Sequence, residues 1–224
     1  MKIISVISQK GGAGKTTIAL HLAVAAAQKG MNTAIIDLDP QASSSKWGDR
    51  REQELPVVVS AHASRLNQVI ETAGSTGGEL VILDTAPHSD KTALDAARVS
   101  DLVLIPCRPS ILDLEAIANS LDLAKLAGTP AVVVLNGVAA SGHEADEAAE
   151  AIKSLGGVLC PVRITSRIAY PRSIVYGKTA QEYEPSGKAA QEIEQLHKFT
   201  RAQLNMNTET KKGASNVKQV RSRA

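Results

Sequence analysis

Seven short β-branched stretches punctuate this chain, and most are apolar at successive positions rather than at alternate ones: Ile3–Ser8, Thr33–Leu38, Val57–Ser60, Leu80–Asp84, Leu102–Pro106, Ala131–Asn136 and Val158–Ile164. A strand that is apolar on both faces must be covered on both faces, which a parallel sheet with helices above and below achieves. Between these runs lie segments with apolar residues at helical spacing: Thr16–Lys29, Ala63–Ala73, Lys91–Val99, Ile111–Ala127 and Glu144–Leu155. Gly30, Gly128 and Gly156 follow three of them, where a left-handed helix cap is expected. The pattern predicts a doubly wound α/β fold with a mostly parallel, twisted sheet of about seven to eight strands and helices on both faces. Ligands of such a fold bind beyond the carboxyl ends of the strands.

A chain of 224 residues can bury the core of one ordinary domain. Helix Gly187–Leu204, with Ile193, Leu196 and Phe199 as its apolar stripe, reads as the closing element, so the expected domain is 1–204. From Asn205 to Ala224 the composition turns to Thr, Lys, Ser, Asn and Arg, and a basic, disordered tail is expected over 205–224. Cys107 and Cys160 are far apart with no CxxC pairing, which favours buried reduced thiols over a disulfide or a metal site. Met1 leads straight into a strand without a signal peptide, and no apolar run approaches the ~20 residues of a membrane span. The expected location is the cytoplasm.

The first strand runs into Lys10-Gly11-Gly12-Ala13-Gly14-Lys15-Thr16-Thr17 and then into a helix. Backbone amides of such a loop, together with the positive end of the helix dipole, favour a polyphosphate. Lys15 is placed to reach the β- and γ-phosphates, and the Thr16 hydroxyl to ligate Mg²⁺. The strict P-loop spacing is not met, since Gln9 stands where its first glycine belongs and a second lysine, Lys10, follows. Three carboxylates are candidates to face the phosphates. Asp37 and Asp39 close the second strand, and Asp84 ends Leu80-Val81-Ile82-Leu83 in a Walker B arrangement. Each alone could simply cap the next helix.

Together these residues resemble the deviant Walker A ATPases of the ParA/MinD family. The resemblance rests on Lys10–Thr17, on Asp37-Leu38-Asp39-Pro40-Gln41, on Asp84 with Pro87 following, and on the Asp101–Asp113 stretch with its Pro106-Cys107-Arg108-Pro109. It covers roughly residues 1–200 and is closest to short ParA-type partition ATPases without an N-terminal DNA-binding extension. It implies ATP and Mg²⁺ as ligands and a homodimer that sandwiches the nucleotides. The implied catalytic residues are Lys10, reaching the nucleotide of the other subunit, Lys15, and Asp39, which would orient the attacking water. Gly11, Gly12, Ala13, Gly14, Lys15, Thr16 and Thr17 would hold the nucleotide, with Asn136 on the adenine side and Pro161 and Arg163 lining the same pocket. Thr16, Asp37 and Asp84 would serve the metal.

From Ala151 to Gln181 there is no acidic residue, while Lys153, Arg163, Arg167, Arg172 and Lys178 are basic. The tail adds Lys211, Lys212, Lys218, Arg221 and Arg223 against Glu209. Such a distribution fits either phosphate-backbone contact or an ordinary solvated face. The resemblance favours the former: a nucleoid-associated dimer binding non-specific double-stranded DNA through Arg163, Arg167, Arg172 and Lys178, with hydrolysis slow alone and stimulated by a ParB-like centromere-binding partner. Rival readings are a MinD-like positioning ATPase and a metabolic ATP-dependent synthase on the same fold. For the membrane-bound rival, Met206, Val217 and Val220 are too few apolar groups to form a stable interfacial helix. A synthase usually needs extra chain to build a substrate pocket, and no such insertion is visible. An electron carrier like the nitrogenase iron protein would need cluster cysteines that Cys107 and Cys160 do not match.

Other residues have plainer readings. His88 and Asp90 are expected in a solvated switch loop after Walker B, the alternative being a His–Asp catalytic pair. Glu144, Asp146, Glu147 and Glu150 are expected on a solvent-facing helix, the alternative being a dock for a basic partner. Trp47 is expected either at a dimer or partner surface or as a half-buried helix anchor. Tyr170, Tyr176 and Tyr183 are expected to pack against the last strand and helix.

Overall fold

The computed structural model describes residues 1–205. Its sheet contains β1 (Lys2–Val6), β2 (Thr33–Asp37), β3 (Val57–Ser60), β4 (Leu80–Asp84), β5 (Leu102–Cys107), β6 (Ala131–Val138) and β7 (Ile164–Thr165). These seven strands lie in the order β3-β2-β4-β1-β5-β6-β7, with every pairing parallel. The helices are α1 (Lys15–Gln28), α2 (Ser43–Gly48), α3 (Leu66–Ser75), α4 (Asp90–Arg98), α5 (Ile111–Ala127), α6 (Glu144–Ser154), α7 (Ala169–Val175), α8 (Ala180–Tyr183) and α9 (Lys188–Gln203).

The continuous apolar runs divide between the two faces of the sheet, as the pleat requires. Ile4 and Val6, Ile35, Ile82, Leu104 and Val134 join one core with residues of α1, α2 and α7 to α9. Their neighbours Ile3, Ile36, Val81, Leu83, Val103, Ile105 and Leu135 turn to the other face, against α3 to α6. Helix α1 is buried along most of its length, so only its ends meet solvent. Gly30, Gly128 and Gly156 all adopt positive φ where the helices before them end.

Five elements differ from expectation. Val158–Ile164 is not one strand: Cys160 pairs with Val133 through its amide, but Pro161 has no N–H to continue the ladder, and pairing resumes at Ile164 opposite Asn136. The Ala63 helix begins as a 3₁₀ turn over Ala63–Arg65 before α3. Helices α2, α7 and α8 are short additions whose sequences carry little helical periodicity. The expected tail lies outside the described residues, apart from Asn205.

Strand β1 is central, paired with β4 on one side and β5 on the other. The strand order therefore reverses beside it, and the loop leaving β1 opens into the crevice where doubly wound sheets bind ligands.

Candidate functional site

Gly12 and Gly14, at φ +72° and +100°, bend this loop into a cradle that side chains would fill. A Cβ on Gly12 would stand 2.6 Å from Nη2 of Arg108, and one on Gly14 would run into the Asn136 amide. Ala13 is buried, Gly11 is exposed, and Thr16 and Thr17 open the first turn of α1 half-buried. Asn136, near the end of β6, donates from Nδ2 to the Ala13 carbonyl at 2.7 Å and so fixes the loop from the side. Lys15 is only 7 % exposed, and its Nζ donates back to the Lys10 carbonyl at 3.3 Å. Burial lowers its pKa, opposed by the charges of Asp84 and Asp39. Lys10 is half-buried, and its ammonium has no ion pair or hydrogen bond among the described residues.

Parallel register sets Asp37 directly opposite Asp84. Asp84 is fully buried, and its Oδ2 accepts from the Thr16 hydroxyl at 2.7 Å and the Ser44 hydroxyl at 2.8 Å. Its Oδ1 is buried with no partner among the described residues. Burial pushes the carboxyl up to about 7, while the two hydroxyls and Lys15 pull it down and Asp37 adds to the rise. Asp37 accepts from the Asp39 amide through Oδ1, and from the Ser45 amide and hydroxyl through Oδ2. Asp39 accepts from the Gln41 amide and lines a cleft of about 850 Å³ with Pro40, Pro87 and Lys91.

The bare Asp84 Oδ1 beside the Thr16 hydroxyl suits a hard cation. Among the described residues no three His, Cys, Asp or Glu side chains gather into an all-protein metal cage. Mg²⁺ keeps several waters and is held by one or two protein oxygens plus substrate phosphates, a demand that the Asp84 carboxylate and the Thr16 hydroxyl can meet. Asp84 and Thr16 are the residues that would hold it. When bound, Mg²⁺ neutralises charge on the phosphate oxygens.

The remaining candidates lie apart from this cluster. Pro161 and Arg163 run beside the end of β6, and Arg163 is ion-paired with Asp146 of α6 at 2.6 Å. Arg167 is engaged inward, its Nε and Nη2 donating to Glu192 Oε1 at 3.0 and 2.7 Å. Arg172 and Lys178 are exposed, with no ion pair among the described residues. The tail lysines and arginines lie outside the described residues.

Several readings need correction. Trp47 is neither at a surface nor half-buried: it is fully enclosed, its indole N–H donates to the Lys178 carbonyl, and Arg51 lies 4.9 Å from its ring centroid. Tyr170 is buried as expected, but Tyr176 and Tyr183 are exposed and stack on each other. Asp90 accepts from the Gln9 amide. The position where the strict motif has glycine thus ties the loop to the start of α4. Both cysteines are free and buried, and burial raises Cys107 to about 12 and Cys160 to about 11.

Ser44 and Ser45 were not singled out from sequence, and Arg108 was named only within the Pro106–Pro109 stretch, with no role. Arg108 lies over the loop, donating to the Gly11 carbonyl at 3.4 Å, with Asp113 3.8 Å from its Nε. The Ser43–Ser45 run after Pro40-Gln41 was the available signal for α2, since serines favour helix starts.

Residues 4–180 match the model of the CobQ/CobB/MinD/ParA nucleotide binding domain. The chain belongs to this family. A relative from Gloeobacter kilaueensis, maintenance of carboxysome distribution protein A, is 32% identical over 197 residues, which are 86% of this chain and 89% of that one. The chromosome-partitioning ATPase Soj of Thermus thermophilus is 29% identical over 147 residues, 53% of this chain and 59% of that one. Among solved structures, the septum site-determining protein MinD of Pyrococcus horikoshii, complexed with Mg-ADP, superposes with a TM-score of 0.72 at 19% identity, over 89% of this chain and 95% of that one. That likeness establishes the shared ParA/MinD fold, with its parallel sheet covered by helices on both sides.

Proposed function

We propose that this ParA/MinD-family protein is an ATP-driven positioning ATPase, in which Mg-ATP closes a homodimer on non-specific DNA and a ParB-like adaptor bound to the cargo stimulates hydrolysis. The observation that carries the reading is the cluster at the end of β1: the glycine cradle, buried Lys15, Thr16 bonded to Asp84, and the bare Asp84 Oδ1. Lys15 holds and neutralises the phosphates of its own nucleotide. Lys10, uncommitted among the described residues, serves the nucleotide of the second subunit. Asp39 orients the attacking water. Phosphoryl transfer needs positioning and charge neutralisation more than covalent help, which suits two lysines and a hard cation.

The names of the relatives supply the kind of work: one distributes carboxysomes and another partitions chromosomes. DNA is the proposed track, and Arg172 and Lys178 are its proposed contacts because their charges are exposed and unpaired among the described residues. Arg163 and Arg167 would have to leave Asp146 and Glu192 to join them.

The test is retention on random-sequence duplex DNA with and without Mg-ATP across a salt series, with ATP turnover measured in parallel. The expected result is ATP-dependent retention that falls steeply with salt, and slow turnover. Retention indifferent to both ATP and salt contradicts the DNA reading. Absence of any ATP turnover, with DNA and a cognate adaptor present, contradicts the ATPase reading.

A further inference from the structure

Helix α2 touches the candidate metal site with one end and a distant surface turn with the other. At its start, Ser44 donates to Asp84 Oδ2 at 2.8 Å, and Ser45 gives both its amide and its hydroxyl to Asp37 Oδ2 at 2.8 and 3.0 Å. The N-cap residue Ala42, in a left-handed conformation at φ 53°, supplies no side-chain cap. The helix is therefore anchored by two carboxylates at the ends of β2 and β4 rather than by its own sequence. A helix this short spans roughly 9 Å. Just past that length Arg51 donates to the Leu55 and Gly177 carbonyls and to both oxygens of Glu182. Trp47 donates to the Lys178 carbonyl at 3.0 Å, and Gly177, at φ +64°, lies so close to Arg50 that a Cβ would strike the Arg50 carbonyl. The outer side of this turn presents Arg172, Val175, Tyr176 and Lys178 to solvent.

Thr16 and Ser44 share one acceptor, Asp84 Oδ2, beside the unpartnered Oδ1. Whatever occupies the phosphate–metal site engages this carboxylate through Oδ1 or draws Thr16 off Oδ2, and the anchor of α2 is on that second oxygen of the same carboxylate. We propose that α2 couples occupancy of that site to the turn between α7 and α8, with Ser44 as the positioning residue that reads Asp84, and Trp47 and Arg51 as the groups that move the Gly177–Lys178 backbone. The nucleotide state thereby sets how the cationic and aromatic groups of this turn meet a polyanion. The coupling rests on the reading of the β1 loop as a nucleotide site. Its warrant is a single packed element that both ends can bias, which is what coupling between separated sites requires.

Trp47 is the single tryptophan of the chain, so its emission reports on α2 directly. The full chain is titrated with Mg²⁺ and a non-hydrolysable ATP analogue. Binding is followed by calorimetry, α2 by Trp47 emission, and the turn by hydrogen exchange of amides 174–179. In the wild type, nucleotide binding is expected to shift the emission and change the exchange of the turn. Ser44→Ala is expected to bind the analogue within roughly tenfold of wild type, because one hydrogen bond to a carboxylate is lost, while both responses vanish. Ser45→Ala, which leaves Asp84 untouched, is expected to weaken both responses and guards against a folding defect in the first variant. Binding by the wild type with silent Trp47 and unchanged exchange overturns the coupling and leaves the nucleotide site standing. A full response in Ser44→Ala overturns it as well. No binding by the wild type overturns the nucleotide site and the coupling together.

Discussion

Gly11 and Gly14 are three residues apart in one loop, yet they answer to different constraints. Gly14 is at φ +100° with the Asn136 amide where its Cβ would be, whereas Gly11 has open space around it and no positive φ. Gly14→Ala is expected to destabilise the protein by about 1–3 kcal/mol and to abolish nucleotide binding, because the strained loop must also push Asn136 off Ala13. Gly11→Ala is expected to stay within about 0.5 kcal/mol of wild type, as surface changes without such constraints do. Thermal unfolding of the two variants checks both. This contrast is invisible in Lys10–Thr17 as written, where all three glycines look alike. The motif announced an anion site but not which glycine a neighbouring strand makes obligatory. Asp84 shows the same limit: its place after four apolar residues pointed to the metal, while its second hydroxyl partner, Ser44, lies 40 positions away and carries no such signal.

At the scale of elements, the inner strands were legible because burial on both faces leaves a continuous apolar run, and β2 and β4 begin where those runs begin. Strand β3, at the sheet edge, has the same apolar run but is largely exposed. The short helices were not, because they hold their place through tertiary bonds rather than through periodicity. Helix α2 is tied by Asp37, Asp84, Trp47 and Arg51. Arg51 and Glu182 are nearly enclosed, at 4 % and 14 % side-chain exposure. Burial raises the Glu182 carboxyl, but the Arg51 and Thr179 hydrogen bonds outweigh it and leave its pKa lowered. Arg51→Ala strands that carboxylate and two backbone carbonyls, and is expected to cost roughly 3 kcal/mol. The double change Arg51→Met with Glu182→Leu is expected to cost less than Arg51→Ala alone. Chemical denaturation of the single and double variants measures the difference.

For the molecule as a whole, the buried imidazoles set the acid limit of stability. His21 is fully buried with Nδ1 donating to the Thr17 carbonyl, and His197 is 3 % exposed. Burial lowers both to about 4 from a usual value near 6.5. Because the unfolded chain binds these protons first, stability is present above pH ~6.5 and falls as pH drops towards ~4, by about 3 kcal/mol per histidine. Asp84 acts oppositely: its raised pKa contributes stability below pH ~4 that is lost as pH rises through ~7. Two histidines against one aspartate leave a net loss on acidification between pH ~6.5 and ~4, and His21→Gln together with His197→Gln is expected to flatten it. Equilibrium unfolding in urea at stepped pH values tests this.

We propose that this chain forms half of a nucleotide-closed switch, with Lys15 working on its own phosphates and Lys10 on those of its partner. Light-scattering mass in Mg-ATP, for wild type and Lys10→Ala side by side, addresses it most directly. The predicted result is a dimer with ATP and a monomer without it for the wild type, and a monomer in both conditions for Lys10→Ala, whose turnover falls roughly 10²-fold while ATP still binds. An ATP-dependent dimer of unchanged mass and turnover in Lys10→Ala, or a wild type whose mass ignores ATP, would contradict it.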